Sequence, residues 1–151
     1  MKDATPHHSV RIVLLNQHDE VLLMKAADPQ TTEPNGTYNG DFWFLIGGEI
    51  EPSEDTESAI FRELKEETNL DRDQVDLGPE IWFGDFELIL SGKKRHMKQR
   101  FFLARTTHTR VSPTGLTEAE KKIVRSLEWF SEERLRVWDE PVYPVGLYKY
   151  L

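Results

Sequence analysis

The stretch between residues 53 and 70 makes two demands at helical spacing, and together they restrict the fold more than any other feature of the chain. At about 100° per residue, Ile60, Phe61 and Leu64 fall on one arc of a helix, and Glu63, Glu66 and Glu67 on the arc beside it. The first arc has to be buried. The second gathers carboxylates, because residues three and four apart are neighbours on a helix surface. Left alone these acids repel one another, and a hard divalent cation such as Mg2+ or Mn2+ relieves the repulsion through oxygen ligands. The expectation is an amphipathic helix packed on an apolar layer, with a metal-binding edge.

Ser53 is the expected N-cap, with Glu54 and Asp55 in the first turn where the helix dipole favours anions. Residues 42–46 read as a short apolar strand running into Gly47-Gly48, which bring flexible backbone to the start of the acidic segment. Residues 10–15 and 21–25 are aliphatic runs separated by Asn16-Gln17-His18-Asp19 and read as a hairpin. The connection over 27–41, rich in Pro, Gly, Asn and Thr, is long enough to suggest the border of a pocket. Residues 81–90 and 97–105 read as two longer strands joined by a basic tip, Ser91-Gly92-Lys93-Lys94-Arg95-His96. Thr117-Glu118-Ala119-Glu120 has the capping-box form and should open a short helix. Residues 127–130 then form a last strand, and Ser131 caps a helix running to about Val137. Helices on a mixed sheet follow, an α/β chain with residues 1–151 as a single domain.

Charge and composition narrow the chemistry. The net charge is −8, from 19 basic and 27 acidic residues, which argues against stable binding to nucleic acid or to anionic membranes. There is no cysteine, so disulfides, thiolate zinc sites and cysteine nucleophiles are excluded, and any metal must be held by oxygen or histidine. No signal-like or membrane-spanning apolar run is present, and the expected location is the cytoplasm. A phosphate-bearing substrate entering so acidic a site needs a bridging cation, so metal and substrate readings support each other.

From Gly48 the chain reads Gly, five residues, Glu54, seven residues, then Arg62-Glu63-Leu64-Lys65-Glu66-Glu67-Thr68-Asn69-Leu70. This resembles the Nudix box, G-x5-E-x7-R-E-U-x-E-E-x-G-U, at eight of its nine specified positions. Asn69 stands where the family has Gly, at the residue just past the helix end, and Asn is the next best residue for a left-handed backbone. Ile46 replaces a frequent Pro and Ser53 a frequent Gly. The resemblance implies an α/β/α sandwich with a mixed central sheet. It also implies an Mg2+- or Mn2+-dependent hydrolase that cleaves a diphosphate bond in a nucleoside diphosphate linked to another group. Carried over residue by residue, it makes Glu63 and Glu67 the principal metal ligands, Glu66 a further ligand and the Gly47 carbonyl a backbone ligand. Arg62 and Glu54 become a bracing pair beside Gly48. The general base is a box acid, Glu66 or Glu67, or a later one, Glu118 or Glu120. A small-molecule nucleotide or diphosphate is the implied partner, and a homodimer is compatible with the family.

Marks outside the box leave the substrate open. Phe86 stands where relatives acting on ADP-ribose often have Pro, and Glu87 and Leu88 where diadenosine-polyphosphate hydrolases often have Tyr. The rival reading is a Nudix-fold sensor that binds a nucleotide without turnover; the intact Glu63, Glu66 and Glu67 count against it. The isomerases that share the fold rely on a cysteine, absent here. For Lys93, Lys94, Arg95, His96 and Lys98 a solubilising role is favoured over phosphate binding. For Trp43, Phe44, Trp82, Phe83 and Phe86, core packing is favoured over base stacking. His7, His8, His18 and His108 have no metal-ligand spacing.

Overall fold

Alternating burial along the strands shows how the chain builds two cores from one sheet. Val10, Ile12 and Leu14 point to one face, while Val13 and Leu15 point to the other, the period-two pattern of a strand covered on both sides. The computed structural model describes residues 7–28, 40–90, 93–113, 124–140, 142–143 and 147. In order these form β1 (His7–Leu15), β2 (Val21–Asp28), β3 (Gly40–Glu49), α1 (Thr56–Thr68), a 3-10 turn (Arg72–Gln74), β4 (Asp76–Leu90), β5 (Lys93–Arg105), β6 (Val124–Phe130), α2 (Glu132–Arg136) and β7 (Val142–Tyr143). The strands make a mixed sheet in the order β4-β5-β1-β2-β3-β7, with β6 beside β2 and a further pairing of β1 with β3. β1 runs parallel to β5, and β3 parallel to β7; the other pairs are antiparallel.

On one face, Ala59, Ile60 and Leu64 of α1 pack against Val10, Ile12, Leu14, Leu22, Met24 and Ile46. Burying Ile60 and Leu64 contributes about 1.5–3 kcal/mol each. On the other face, Leu135 of α2 joins Val13, Val21, Leu23, Leu45, Phe101 and an aromatic group. In that group Trp43, Phe130 and Trp138 meet edge to face, with centroids 4.9 to 6.0 Å apart. The Arg134 guanidinium lies over Phe130 and Trp138 at 4.1 and 4.6 Å. The result is the α/β/α sandwich expected of a Nudix-like chain.

Several expectations change in detail. Helix α1 is capped by Asp55, whose carboxylate accepts from Ser58 N at 2.7 Å, and not by Ser53. Glu54 therefore lies outside the helix, where its carboxylate instead fastens the preceding loop. The turn at 16–19 forms around Asn16, whose Oδ1 accepts from His18 N and Glu20 N. Beyond Leu15 and Val21 the expected hairpin gives way to other pairings, with β1 meeting β3 and β5, and β2 lying between β3 and β6. Lys93, Lys94, Arg95 and His96 belong to strand β5, opposite 87–90 of β4, so the basic tip is shorter than expected. Ser131 caps α2 through Arg134 N, as expected. Asn69 takes the left-handed conformation, φ 64°, and its N–H closes on Lys65 O at 3.1 Å. β7 was not expected from the sequence, and the helix expected at 117–120 lies outside the described residues. Among the described residues no helix is long and apolar enough to cross a membrane.

Candidate metal and diphosphate site

The end of β3 and the middle of α1 press together, and the pressure falls on two glycines. Gly47 has φ 149°, and a Cβ there would collide with the carbonyl oxygen of Val10. A Cβ on Gly48 would sit inside the carboxylate of Glu63. These glycines are needed for close approach rather than for flexibility. The gap they leave is filled by acid: Glu63 and Glu67, one helical turn apart, are 6% and 4% exposed. The Gly47 N–H donates to Glu67 Oε1 at 2.8 Å. Two of the three acids on that arc, Glu63 and Glu67, are thus buried almost as deeply as Ile60 and Leu64 beside them, while Glu66 stays partly exposed.

Arg62 ties this cluster to the loop that precedes the helix. Its Nε and Nη2 donate to the two oxygens of Glu54 at 2.7 and 3.0 Å, a bidentate pair. Nη2 also donates to the Glu49 carbonyl at 2.9 Å. Nη1 reaches Glu63 Oε1 at 2.9 Å and, more weakly, Glu66 Oε2 at 3.4 Å. Glu54 completes the loop by accepting from Glu51 N at 3.2 Å. The hydrogen bonds from Arg62 hold the Glu54 carboxyl below the usual carboxylate range, and the same bonds raise Arg62 well above its ordinary value. Glu63 goes the other way. Burial pushes its carboxyl up despite the adjacent Arg62, and the neighbouring Glu66 adds to the rise.

That last imbalance tests whether a divalent cation fits. Glu63 is buried and remains short of positive charge with a guanidinium at 2.9 Å. Glu63, Glu66 and Glu67 offer only hard oxygen donors, the chemistry Mg2+ and Mn2+ take. Among the described residues no three such side chains converge on one point as found, because Arg62 Nη1 stands between Glu63 and Glu66. Glu66 carries the weaker of those bonds and a side chain 34% exposed, so it is the acid best able to swing onto an ion.

Arg11 joins the site although no spacing in the sequence singles it out. It lies on β1 opposite Gly47, with its Nη1 donating to Leu45 O at 3.2 Å and its Cζ 5.6 Å from the Phe44 ring. Burial pulls its guanidinium below the ordinary value, and the charges of Glu67 and then Glu63 oppose that pull. An arginine within an otherwise aliphatic strand was the available signal. Glu118 and Glu120 lie outside the described residues. Trp43 is core, whereas Trp82 and Phe83 are 37% and 48% exposed on β4, with Trp82 leaning on Phe101 at 4.7 Å. His96 is paired with Asp85 on the exposed β4–β5 ladder.

A mixed sheet between two helices, with a glycine pair pressed against buried glutamates and an arginine clamp, defines a class, and comparison with known proteins places the chain in it. The NUDIX domain pattern matches residues 5–147, and the chain belongs to that family. An 8-oxo-dGTP diphosphatase of Proteus vulgaris is 31% identical over 77 residues, covering 51% of this chain and 62% of that protein. The chain thus spans less than two thirds of that relative's length. The crystal structure of a MutT protein from Methanosarcina mazei Go1 superposes with a TM-score of 0.68 at 20% identity, over 99% of this chain and 93% of that one. A C. elegans Ap4A hydrolase gives 0.57 at 20% identity, over 85% and 82%. At these identities the structural likenesses show the fold.

Proposed function

We propose that this chain is a divalent-cation-dependent pyrophosphohydrolase that cleaves a diphosphate bond in a nucleoside diphosphate linked to another group. The observation that carries the reading is the buried pair Glu63 and Glu67, seated against Gly47-Gly48, with the Glu63 carboxyl pushed up by burial even beside Arg62. Glu63, Glu66, Glu67 and the Gly47 carbonyl would hold Mg2+ or Mn2+. When bound, such an ion draws charge from phosphate oxygens and makes water more acidic. Arg62, braced by Glu54, keeps Glu63 in place and fixes the 49–54 loop to the helix. Glu66 is the described acid best exposed to take a proton from the attacking water, with Glu67, Glu118 and Glu120 as the other candidates.

Membership of the NUDIX family supports hydrolysis, and the named relatives make 8-oxo-dGTP and Ap4A natural first substrates to try. The net charge of −8 favours a small, metal-bridged ligand over nucleic acid or membrane, and a cytoplasmic location and a homodimer belong to the same reading. The test is a panel of nucleoside triphosphates, 8-oxo-dGTP, Ap4A and nucleotide sugars with Mg2+ or Mn2+, scored by released phosphate after phosphatase coupling. Glu67→Gln should fold normally and lose turnover by orders of magnitude, since it removes an anionic ligand. Equal turnover by both proteins sinks the assignment. Binding without turnover by the wild type selects the sensor instead.

A further inference from the structure

Arg62, Arg100 and Arg134 show how this molecule treats a guanidinium, and Arg11 differs from them. Arg62 spends its fork on Glu54, Glu49 O, Glu63 and Glu66. Arg100 makes a bidentate pair with Glu80 and reaches Thr56 Oγ1 at 2.9 Å. Arg134 pairs with Glu128 at 2.6 Å and donates to Trp129 O. Arg11 is the exception. Among the described residues its guanidinium makes one hydrogen bond, to Leu45 O, and no ion pair, although it is half-buried and lies in the fields of Glu67 and Glu63.

A guanidinium carries five N–H donors in a rigid fork and keeps its charge. Were Arg11 only a counter-charge for the acids, direct pairing with one of them would be the cheapest arrangement, as Arg62 shows 2.9 Å from Glu63. Instead its plane is steadied by the Phe44 ring and by one backbone carbonyl, with most of the fork uncommitted in the fields of Glu67 and Glu63. Its place on β1 opposite Gly47 sets it next to the proposed backbone ligand. A planar donor set held ready beside a cation site matches a phosphate group, which accepts such a fork bidentately.

We propose that Arg11 is a phosphate-binding residue of this site, gripping the phosphate of a diphosphate ligand that the metal-holding acids do not themselves reach. This rests on the diphosphate-hydrolase reading above. With Arg11 on one phosphate and the cation on the other, the site would select a diphosphate over a monophosphate and would orient the bridging bond toward Glu66.

The probe is methylenediphosphonate, whose P–C–P bridge resists hydrolysis, titrated calorimetrically into protein saturated with Mn2+; Mn2+ alone is titrated separately. Arg11→Gln should bind methylenediphosphonate about 10- to 100-fold more weakly, the loss expected for charge-assisted hydrogen bonds. Mn2+ affinity should stay equal or rise, since a competing positive charge has gone. Arg11→Lys, which keeps the charge and loses the fork, should fall in between at an unchanged Tm, and it carries the test alone if Arg11→Gln does not fold. Methylenediphosphonate affinity equal to wild type in both variants overturns the proposal. So does a loss of affinity that merely follows a parallel loss of Mn2+. If wild-type protein binds Mn2+ and not methylenediphosphonate, the diphosphate reading itself fails, a separate and recognisable result.

Discussion

Replacing Arg62 with Lys keeps a positive charge at the centre of the site and removes only its shape. In the native protein the fork spans both oxygens of Glu54, the Glu49 carbonyl and Glu63, all between 2.7 and 3.0 Å. A lysine ammonium is a point charge and can serve one or two of these at a time. Hydrogen bonds to charged groups contribute about 1.5–3 kcal/mol each when well buried. Arg62 and Glu54 are 22% and 12% exposed, so solvent screening reduces that figure. Losing the bidentate arrangement should cost about 2–3 kcal/mol in all, or about 4–12 °C in Tm for a chain of this size. Thermal unfolding by circular dichroism in EDTA measures it without metal. The pH dependence supplies a second check. Glu54 is held below its ordinary value in the folded state, so the stability it contributes is complete above about pH 4.5 and disappears as pH falls through its depressed value. The part of the gap between wild type and Arg62→Lys that comes from Glu54 should therefore be full at pH 7 and narrow below about pH 4. An unchanged Tm at pH 7, or a gap that widens in acid, would refute the bracing role.

Glu63 has the opposite sign: its folded-state carboxyl sits above the unfolded value, so ionising it costs stability as pH rises through that raised value. Glu63→Gln should raise the Tm of the EDTA-treated protein at pH 7 to 8, lose that advantage below about pH 4, and weaken stabilisation by Mn2+; a lower Tm at pH 7 would contradict the charge-deficit argument. Gly47→Ala should be the more damaging of the two glycine changes, costing about 3 kcal/mol or more, because its Cβ meets the backbone of Val10 at a φ of 149°. Gly48→Ala meets only the Glu63 side chain, so it should spare more of the Tm while lowering Mn2+ affinity about tenfold or more, the factor that about 1.4 kcal/mol of misplacement gives. Equal Tm values for the two variants would show that the close approach is not what these positions require.

What was legible in the sequence is what depends on neighbours along the chain. The arc of Ile60 and Leu64, the acids beside it and the cap at Ser131 all follow from spacing within one element, and all are found. So is the left-handed Asn69. Asp55 displaced Ser53 as the N-cap because Glu54 is held by Arg62 eight residues away, an interaction that local capping preference does not contain. Register between strands was similarly hidden. Pairing of β1 with β3 sets Arg11 opposite Gly47 and Val10 opposite Gly48. This one register brings the Val10 carbonyl against Gly47, leaves the space beside Gly48 that the Glu63 carboxylate fills, and delivers Arg11 to the acids. A slip of one residue would reverse the faces of β1, sending Val10, Ile12 and Leu14 away from α1 and moving Arg11 off its position opposite Gly47. The apolar alternation that buries β1 on both faces therefore also holds the candidate site in register, so a core substitution such as Ile12→Thr acts on that site as well as on stability.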